Sequence, residues 1–356
     1  MGNLKYKDFI CTQEWAKEDL DRVLKLAFEM KQDRFGSKYL DILFRKQFFM
    51  FFYNPSVRTR QSFEAAATEL GAHAQFLEPK SMRLKTAKSA GETVEDAAQV
   101  MDRYAAGLGI RILEDKIAAY GQGDDLLREY AKWAKMPVIS MAHDKFHPCQ
   151  GLADVMGWIE WLAPQGKLAT GTLATTFDPD ALKGKKLLLT WAQGALCRSL
   201  CSVQEAILIG SRYGMDVTVA HPEGYDLDPE VVAAAKMNCE TNDRTFEVTH
   251  DSAAGYDGAH VVYSRNWMSP EAYRDGELRK QEEIEKALGY RGWTCTAEKM
   301  AATDNGIYTH PMPIDRGSEV TDEVASGPNS CIYDVAENRL HGQKAVMAAT
   351  MAGFLD

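Results

Sequence analysis

Five residues in a row, Ser56-Val57-Arg58-Thr59-Arg60, follow an apolar run and the breaker pair Asn54-Pro55. Ser56 stands where the N-cap of an amphipathic helix is expected, and Arg58, Thr59 and Arg60 fill its first turn. A helix N-terminus offers unpaired N–H groups and the positive end of the helix dipole. A hydroxyl and two guanidinium groups added there make a receptor for a small, doubly charged anion. Alone, the same residues also read as a capped helix with a solvated basic turn.

Other polar groups recur at the ends of strand-like segments. Arg111 closes the run GLGIR, and His147 precedes Pro148, with Gln150 three residues further on at the start of a helix. A lone His at such a junction is commonly structural, but Gln150 beside it offers both a donor and an acceptor, as a planar amide ligand requires. His310-Pro311-Met312-Pro313 holds its backbone extended and turns carbonyl oxygens outward, either as a rigid turn or as a row of acceptors for an NH₂ group. Arg339, flanked by Glu337 and Asn338, reads as a solvated or an ordered charge on the last helix. No glycine-rich phosphate loop, dinucleotide fingerprint, G-x-S-x-G elbow or HExxH motif is present. The candidate chemistry is therefore anion binding and carbonyl polarisation by Arg, His, Gln, Thr and Ser, without a cofactor or a metal.

The elements that must carry these groups alternate. Strands are expected near residues 47–53, 73–78, 107–113 and 137–142, with helices around 57–70, 92–105 and 119–134 and another from about Gln150. The second half repeats the scheme, with strands near 186–191, 216–220, 245–249, 259–264 and 306–309. Its helices are expected near 199–213, 228–240 and 270–288, and a last one at 335–352. This is an α/β pattern of two similar domains, each with a parallel sheet flanked by helices and with ligands at the carboxyl ends of the strands. Domains are set at 1–150 and 151–334, with 335–356 as a C-terminal helix expected to return to the first domain. The Gly/Thr/Pro-rich stretch 163–186 is the natural junction by composition.

The 356 residues suffice for two full cores, and a net charge of −10 argues against a general nucleic-acid or membrane-surface binder. Seven scattered cysteines without a CxxC pair suit a reducing compartment. With no apolar run of membrane-spanning length and a charged start, the expectation is a soluble, cytoplasmic protein.

Ser-x-Arg-Thr-Arg, His-Pro-x-Gln, a late His-x-x-Pro and Glu-Asn-Arg, in this order, resemble the aspartate/ornithine carbamoyltransferases over nearly the whole chain. GETVEDAAQVMDRYAAGLGIR is similar to the family's segment leading to its carbamoyl-phosphate Arg. The resemblance implies that Ser56, Val57 (through its N–H), Arg58, Thr59 and Arg60 bind phosphate, and that Arg111, His147 and Gln150 hold the carbamoyl group. The carbonyls of Pro311 and Met312 meet its NH₂ end, and Arg339 also reaches carbamoyl phosphate. Arg111, His147, Thr59 and Gln150 are the implied catalytic set. It further implies a homotrimer in which a neighbouring subunit's loop completes each site. That loop falls here within residues 78–92, with Ser81, Lys85 and Lys88 as unranked candidates.

The acceptor side departs from the ornithine pattern. SRNWMSPEAY stands where ornithine-specific members carry Asp-x-x-x-Ser-Met-Gly, and His-Pro-Met-Pro replaces His-Cys-Leu-Pro. The Pro after His310, with Arg198 and Arg265, is similar to aspartate carbamoyltransferases. Thr190-Trp191, HPEGYDLDP, Trp267 and AENR look like acylated-ornithine and uncharacterised transcarbamylases, whose second domain is knotted; that admits a knot around residues 190–300. The expected acceptor is ornithine-like or N-acylated, contacted by Arg198, Arg265 and Trp267, with aspartate second. A non-catalytic homologue and an NAD-type oxidoreductase are the readings from other classes.

Overall fold

The computed structural model describes residues 2–79, 90–164, 166–167 and 173–355. The chain divides into two compact units, Met1–Cys149 with Arg339–Asp356, and Gln150–Asn338. The composition-defined stretch 163–186 lies inside the second unit, while the chain changes unit within two helices.

In the first unit, α1 (Lys17–Gln32) buries Leu20, Val23, Leu24, Ala27 and Phe28 along one face. The sequence reading assigned no helix there, although the spacing is helical. Strands β1 (Gln47–Phe52), β2 (His73–Leu77), β3 (Gly107–Ile112) and β4 (Val138–His143) form one parallel sheet in the order β2-β1-β3-β4. Helices α2 (Val57–Glu69), α3 (Val94–Met101) and α4 (Gln122–Trp133) connect them. A strand covered on both faces needs apolar residues in continuous runs, and β1 is buried at every position from Phe48 to Phe52. Gly109 in β3 permits this closeness: a Cβ there would lie 2.8 Å from Phe48 and 2.9 Å from the sulfur of Met141.

The pairing of β3 with β4 slips once. Ile110 faces Ser140, but Arg111 faces Ala142, so Met141 is an extra residue and Ala142 takes a φ of 152°. Bulges of this kind re-aim side chains near functional sites.

The second unit holds most of α5 (Pro148–Leu162), followed by the short antiparallel pair β5 (Gly166–Lys167) and β6 (Leu173–Ala174). Its main sheet is parallel, β13-β10-β7-β8-β9. The strands are β7 (Lys186–Trp191), β8 (Asp216–Ala220), β9 (Phe246–Thr249), β10 (Val261–Arg265) and β13 (Ile307–Thr309). Helices α6 (Cys201–Arg212) and α7 (Pro229–Thr241) link its first strands.

The single helix expected over 270–288 is not formed. Instead β11 (Tyr273–Arg274) and β12 (Glu277–Leu278) make a tight hairpin before α8 (Lys280–Leu288) begins. Asp275 and Gly276 both have positive φ, 54° and 76°. Asp-Gly is a strong two-residue hairpin signal, and it overrides the helical periodicity around it. After the short helices α9 (Ala297–Met300) and α10 (Asp322–Ala325), α11 (Ile332–Met347) starts earlier than expected and ends in a π turn over Ala348–Ala352.

The last residues belong to the first unit and are tied to α2. Lys344, with no exposed side chain, donates to Glu69 Oε2 at 3.1 Å and to the Arg34 carbonyl at 2.9 Å, while Arg34 donates to Glu69 Oε1 at 2.7 Å. No helix among the described residues is long and apolar enough to cross a membrane.

Removing one member of a buried ion pair leaves the other charge uncompensated. Glu69→Ala is expected to destabilise by about 3 kcal/mol, more than Lys344→Met, which removes the buried charge itself. The urea midpoints of the two variants check this.

Candidate active site

Ser56 has extended backbone (φ −156°, ψ 111°) and caps α2, accepting from the Thr59 N–H at 3.4 Å. The first turns of α1, α3 and α4 carry acidic residues, as the helix dipole favours. α2 has none there and presents Arg58 and Arg60 to solvent instead. Placing cations at the positive end of a helix is unfavourable unless an anion joins them. Arg60 is engaged along the helix, donating to Glu64 at 2.8 Å, and its guanidinium lies 4.2 Å from the centre of the Phe76 ring. Val57 is 69% exposed.

Thr59 is buried and its Oγ1 accepts from Ser56 Oγ at 3.0 Å and from Arg339 Nη2 at 3.4 Å. Its own O–H is thereby left to donate. Gln343, with its amide oxygen turned to the guanidinium, accepts from Arg339 Nε at 3.2 Å and Nη2 at 3.1 Å. Its NH₂ then donates to Ser62 Oγ at 2.8 Å. Ser62 in turn donates to the Thr59 carbonyl at 3.1 Å. The ring Thr59–Arg339–Gln343–Ser62 fixes Arg339 against the start of α2, so Arg339 is an ordered charge.

Arg111 lies near the end of β3 and is half-buried, donating to the carbonyl of the bulged Met141 at 3.5 Å. The strand end beside it is held by Asn54, whose side chain accepts from the Leu113 N–H at 2.7 Å and donates to Asp115. His147 is the residue before α5 and is 6% exposed. Burial first, then the cations of Arg339 and Arg111 and the neighbouring His143, push its basicity well below that of an ordinary imidazole. Its Nδ1 makes no hydrogen bond. Ser56, Thr59, Arg111, His147 and Arg339 thus belong to one unit, and the imidazole among them is neutral at pH 7.

In the second unit, Gln150 is buried in the first turn of α5 and donates to Asp154 at 2.9 Å. The turn after β13 is built on a buried carboxylate. Glu319 Oε2 accepts from His310 Nε2 at 3.1 Å and from the Asp315 N–H at 2.8 Å. Its Oε1 accepts from the Asn266 N–H at 2.8 Å and from Arg265 Nη1 at 3.3 Å. His310 Nδ1 accepts from the Met312 N–H at 2.9 Å, which sets the tautomer with Nε2–H facing Glu319. Pro311 and Met312 are half-buried. Burial would raise the Glu319 carboxyl, but His310, Arg265 and the Asn266 N–H together outweigh it and bring it down to about 2.

The acceptor candidates fall differently. Arg198 is partly exposed in the segment before α6. Arg265 ends β10 buried, bonded to Glu319 and to the Pro313 carbonyl at 3.1 Å. Trp267 has no exposed surface, and its indole N–H donates to the Tyr225 carbonyl at 2.8 Å. Its one donor is thereby taken up within the unit.

The family models for the aspartate/ornithine carbamoyltransferase carbamoyl-phosphate-binding domain and Asp/Orn-binding domain match residues 7–160 and 187–350. Ornithine carbamoyltransferase of Symbiobacterium thermophilum is 35% identical over 99% of this chain and 100% of its own. N-acetylornithine carbamoyltransferase of Xanthomonas campestris pv. campestris is 34% identical over 97% of this chain and 98% of its own. The solved structure of an acetylornithine transcarbamylase complexed with acetylcitrulline superposes with a TM-score of 0.84 at 34% identity, over 96% of this chain and 98% of that one. The chain belongs to the aspartate/ornithine carbamoyltransferase family.

Within this carbamoyltransferase framework, the residues that sequence reasoning missed are those that hold the recognised ones. Gln343, Ser62, Asn54 and Glu319 carry no local motif. Ser81, Lys85 and Lys88 lie outside the described residues. Among the described residues, no cluster of three or more His, Cys, Asp or Glu side chains could hold a metal ion.

Two pH effects follow. The unfolded chain binds a proton at Glu319 near pH 4.5, whereas the folded chain does so only at about pH 2. Glu319 therefore contributes roughly 3 kcal/mol above pH 4.5, lost as pH falls towards 2. Urea melts should show wild type and Glu319→Gln converging in that range. His147 should show no protonation in ¹³C–¹H spectra between pH 8 and 6, and Arg339→Gln should raise its midpoint by removing a cation.

Proposed function

We propose that this carbamoyltransferase moves the carbamoyl group of carbamoyl phosphate to the side-chain amine of an ornithine-like amino acid, free or N-acylated. The observation that carries the reading is the first-unit cluster, in which a capped, basic helix start stands with Thr59, Arg339, Arg111 and a neutral His147. It supplies cations for a phosphate and neutral or cationic donors for an oxygen.

Carbamoyl phosphate is a mixed anhydride, so the phosphate is already a good leaving group. The neutral amine attacks the carbamoyl carbon, a C–N bond forms, and charge builds on the carbonyl oxygen. Thr59 O–H, Arg111 and an N–H of neutral His147 donate to that oxygen. A protonated His147 would add a third cation beside Arg111 and Arg339, so its depressed basicity suits a donor that never has to give up a full proton. The C–O bond to phosphate then breaks. Phosphate leaves as an anion and takes the proton that the amine loses, giving a ureido product and hydrogen phosphate. Ser56, Arg58, Arg60 and the Val57 N–H hold the phosphate throughout. No metal, nucleotide or covalent intermediate enters this sequence. The homotrimer, with a neighbouring subunit's loop completing each site, belongs to the same reading.

Free and N-acylated ornithine are not separated by the relatives, which stand at 35% and 34% identity. Aspartate is disfavoured by the site itself. Reading two carboxylates would call on both Arg198 and Arg265, and the charge of Arg265 is already met by Glu319.

Carbamoyl-phosphate-dependent ureido formation with ornithine, N-acetyl- and N-succinylornithine, lysine, putrescine, aspartate and oxamate tests the proposal. Turnover with one ornithine-like amine is expected; preference for aspartate would overturn the acceptor assignment, and no turnover would overturn the activity. Arg58→Ala should raise the carbamoyl-phosphate KM by about 10- to 100-fold, the worth of a hydrogen bond to a charged group, with Tm unchanged. Near-normal saturation would remove Arg58 from the phosphate site.

A further inference from the structure

The first N–H groups of a helix have no partner within it and are met from outside. α4 begins after Gly121, which has no side chain to cap it. The cap comes instead from beyond the end of β4. Asp144 is buried, its Oδ2 accepting from the Gly121 N–H and its Oδ1 from the Asp124 N–H at 3.1 Å. Gly123 makes room for it, since a Cβ there would lie 2.5 Å from Asp144 Oδ1. Lys145 adds to the same contact, its ammonium 5.5 Å from the centre of the Tyr120 ring.

Asp144 opens the connection between β4 and α5, and His147 closes it. The connection is also tied within itself. The His143 N–H donates to the Phe146 carbonyl at 3.0 Å, and the two rings meet edge-to-face with 5.6 Å between centres. The buried His143 imidazole places Nε2 3.3 Å from the Ile10 carbonyl. His147 is thus carried by a tight turn that is bonded to the start of α4 at its first residue. All of these residues belong to the first unit.

We propose that Asp144 is a positioning residue: by capping α4 it holds the turn that aims the His147 imidazole at the carbamoyl oxygen. The inference rests on the role given to His147 above. Asp144 acts on geometry alone. A displacement of about 1 Å can cost about 100-fold in rate, and the complete loss of one oxyanion donor about 100- to 1,000-fold. Removing Asp144 should therefore cost no more than removing the His147 imidazole itself.

The test measures ureido turnover and, by calorimetry, the dissociation constant of inorganic phosphate. It compares wild type, Asp144→Ala, Asp144→Asn, His147→Ala and the double variant of Asp144→Ala with His147→Ala. Asp144→Ala should lower kcat by about 10- to 100-fold. Its phosphate affinity should move less than about twofold, the scatter of independent sites, because α2 is untouched. Asp144→Asn keeps one accepting oxygen and should recover part of the loss. In the His147→Ala background, removing Asp144 should cost less than about twofold more, since no imidazole is left to position. Losses that multiply in the double variant overturn the proposal. So does an unchanged kcat in Asp144→Ala, or a fall in phosphate affinity that matches the fall in kcat. Should Asp144→Ala fail to fold, Gly123→Ala crowds the same carboxyl off α4 and is judged by the same criteria, alone and with His147→Ala. Failure of the underlying reading looks different: wild type would form no ureido product, or His147→Ala would be as fast as wild type.

Discussion

A buried imidazole between cations is the constraint around which the first unit is arranged. His147 cannot take a proton without meeting Arg339 and Arg111, and its burial removes the water that would soften the encounter. The site therefore keeps its positive charge on groups that never titrate, and its histidine as a neutral donor. His310 shows the opposite arrangement in the second unit. There the imidazole has a carboxylate partner, Glu319, and serves to stiffen a turn. Both histidines are buried, and a carboxylate stands beside only the second of them.

The arrangement also explains which acids are missing and which are present. α2 lacks the acidic first turn that α1, α3 and α4 of its unit have. Glu69, at the far end of the same helix, is instead committed to Lys344 and Arg34. One helix thus has a start without acidic residues and an internally neutralised end. The last residues of the chain meet both, through Arg339 and through Lys344.

Much of this was legible in the residues because it is local. A cap, a basic turn and a Pro at the start of a helix are statements about neighbours in the chain, and Ser56 to Arg60 and His147 to Gln150 fall where such signals put them. The parallel strands were legible because burial on both faces demands unbroken apolar runs. What stayed hidden depends on partners far away. Nothing near Gln343 announces that it will hold Arg339, and nothing near Glu319 announces that Arg265, Asn266 and His310 will converge on it. The full burial of Trp267 is likewise a tertiary fact. The bulge at Met141 has no sequence mark. The Asp275-Gly276 hairpin does have one, and it outweighs the helical spacing around it.

The return of residues 339–356 to the first unit sets an order of events on the ribosome. Residues 1–149 emerge first, yet Arg339, Gln343 and Lys344 follow only after the whole of residues 150–338 has been made. At ordinary translation rates that interval is about 10–40 s. During it, α2 waits with Thr59 lacking Arg339 and Glu69 lacking Lys344. The ring that fixes Arg339 against the start of α2 therefore closes only after residues 150–338 have been made.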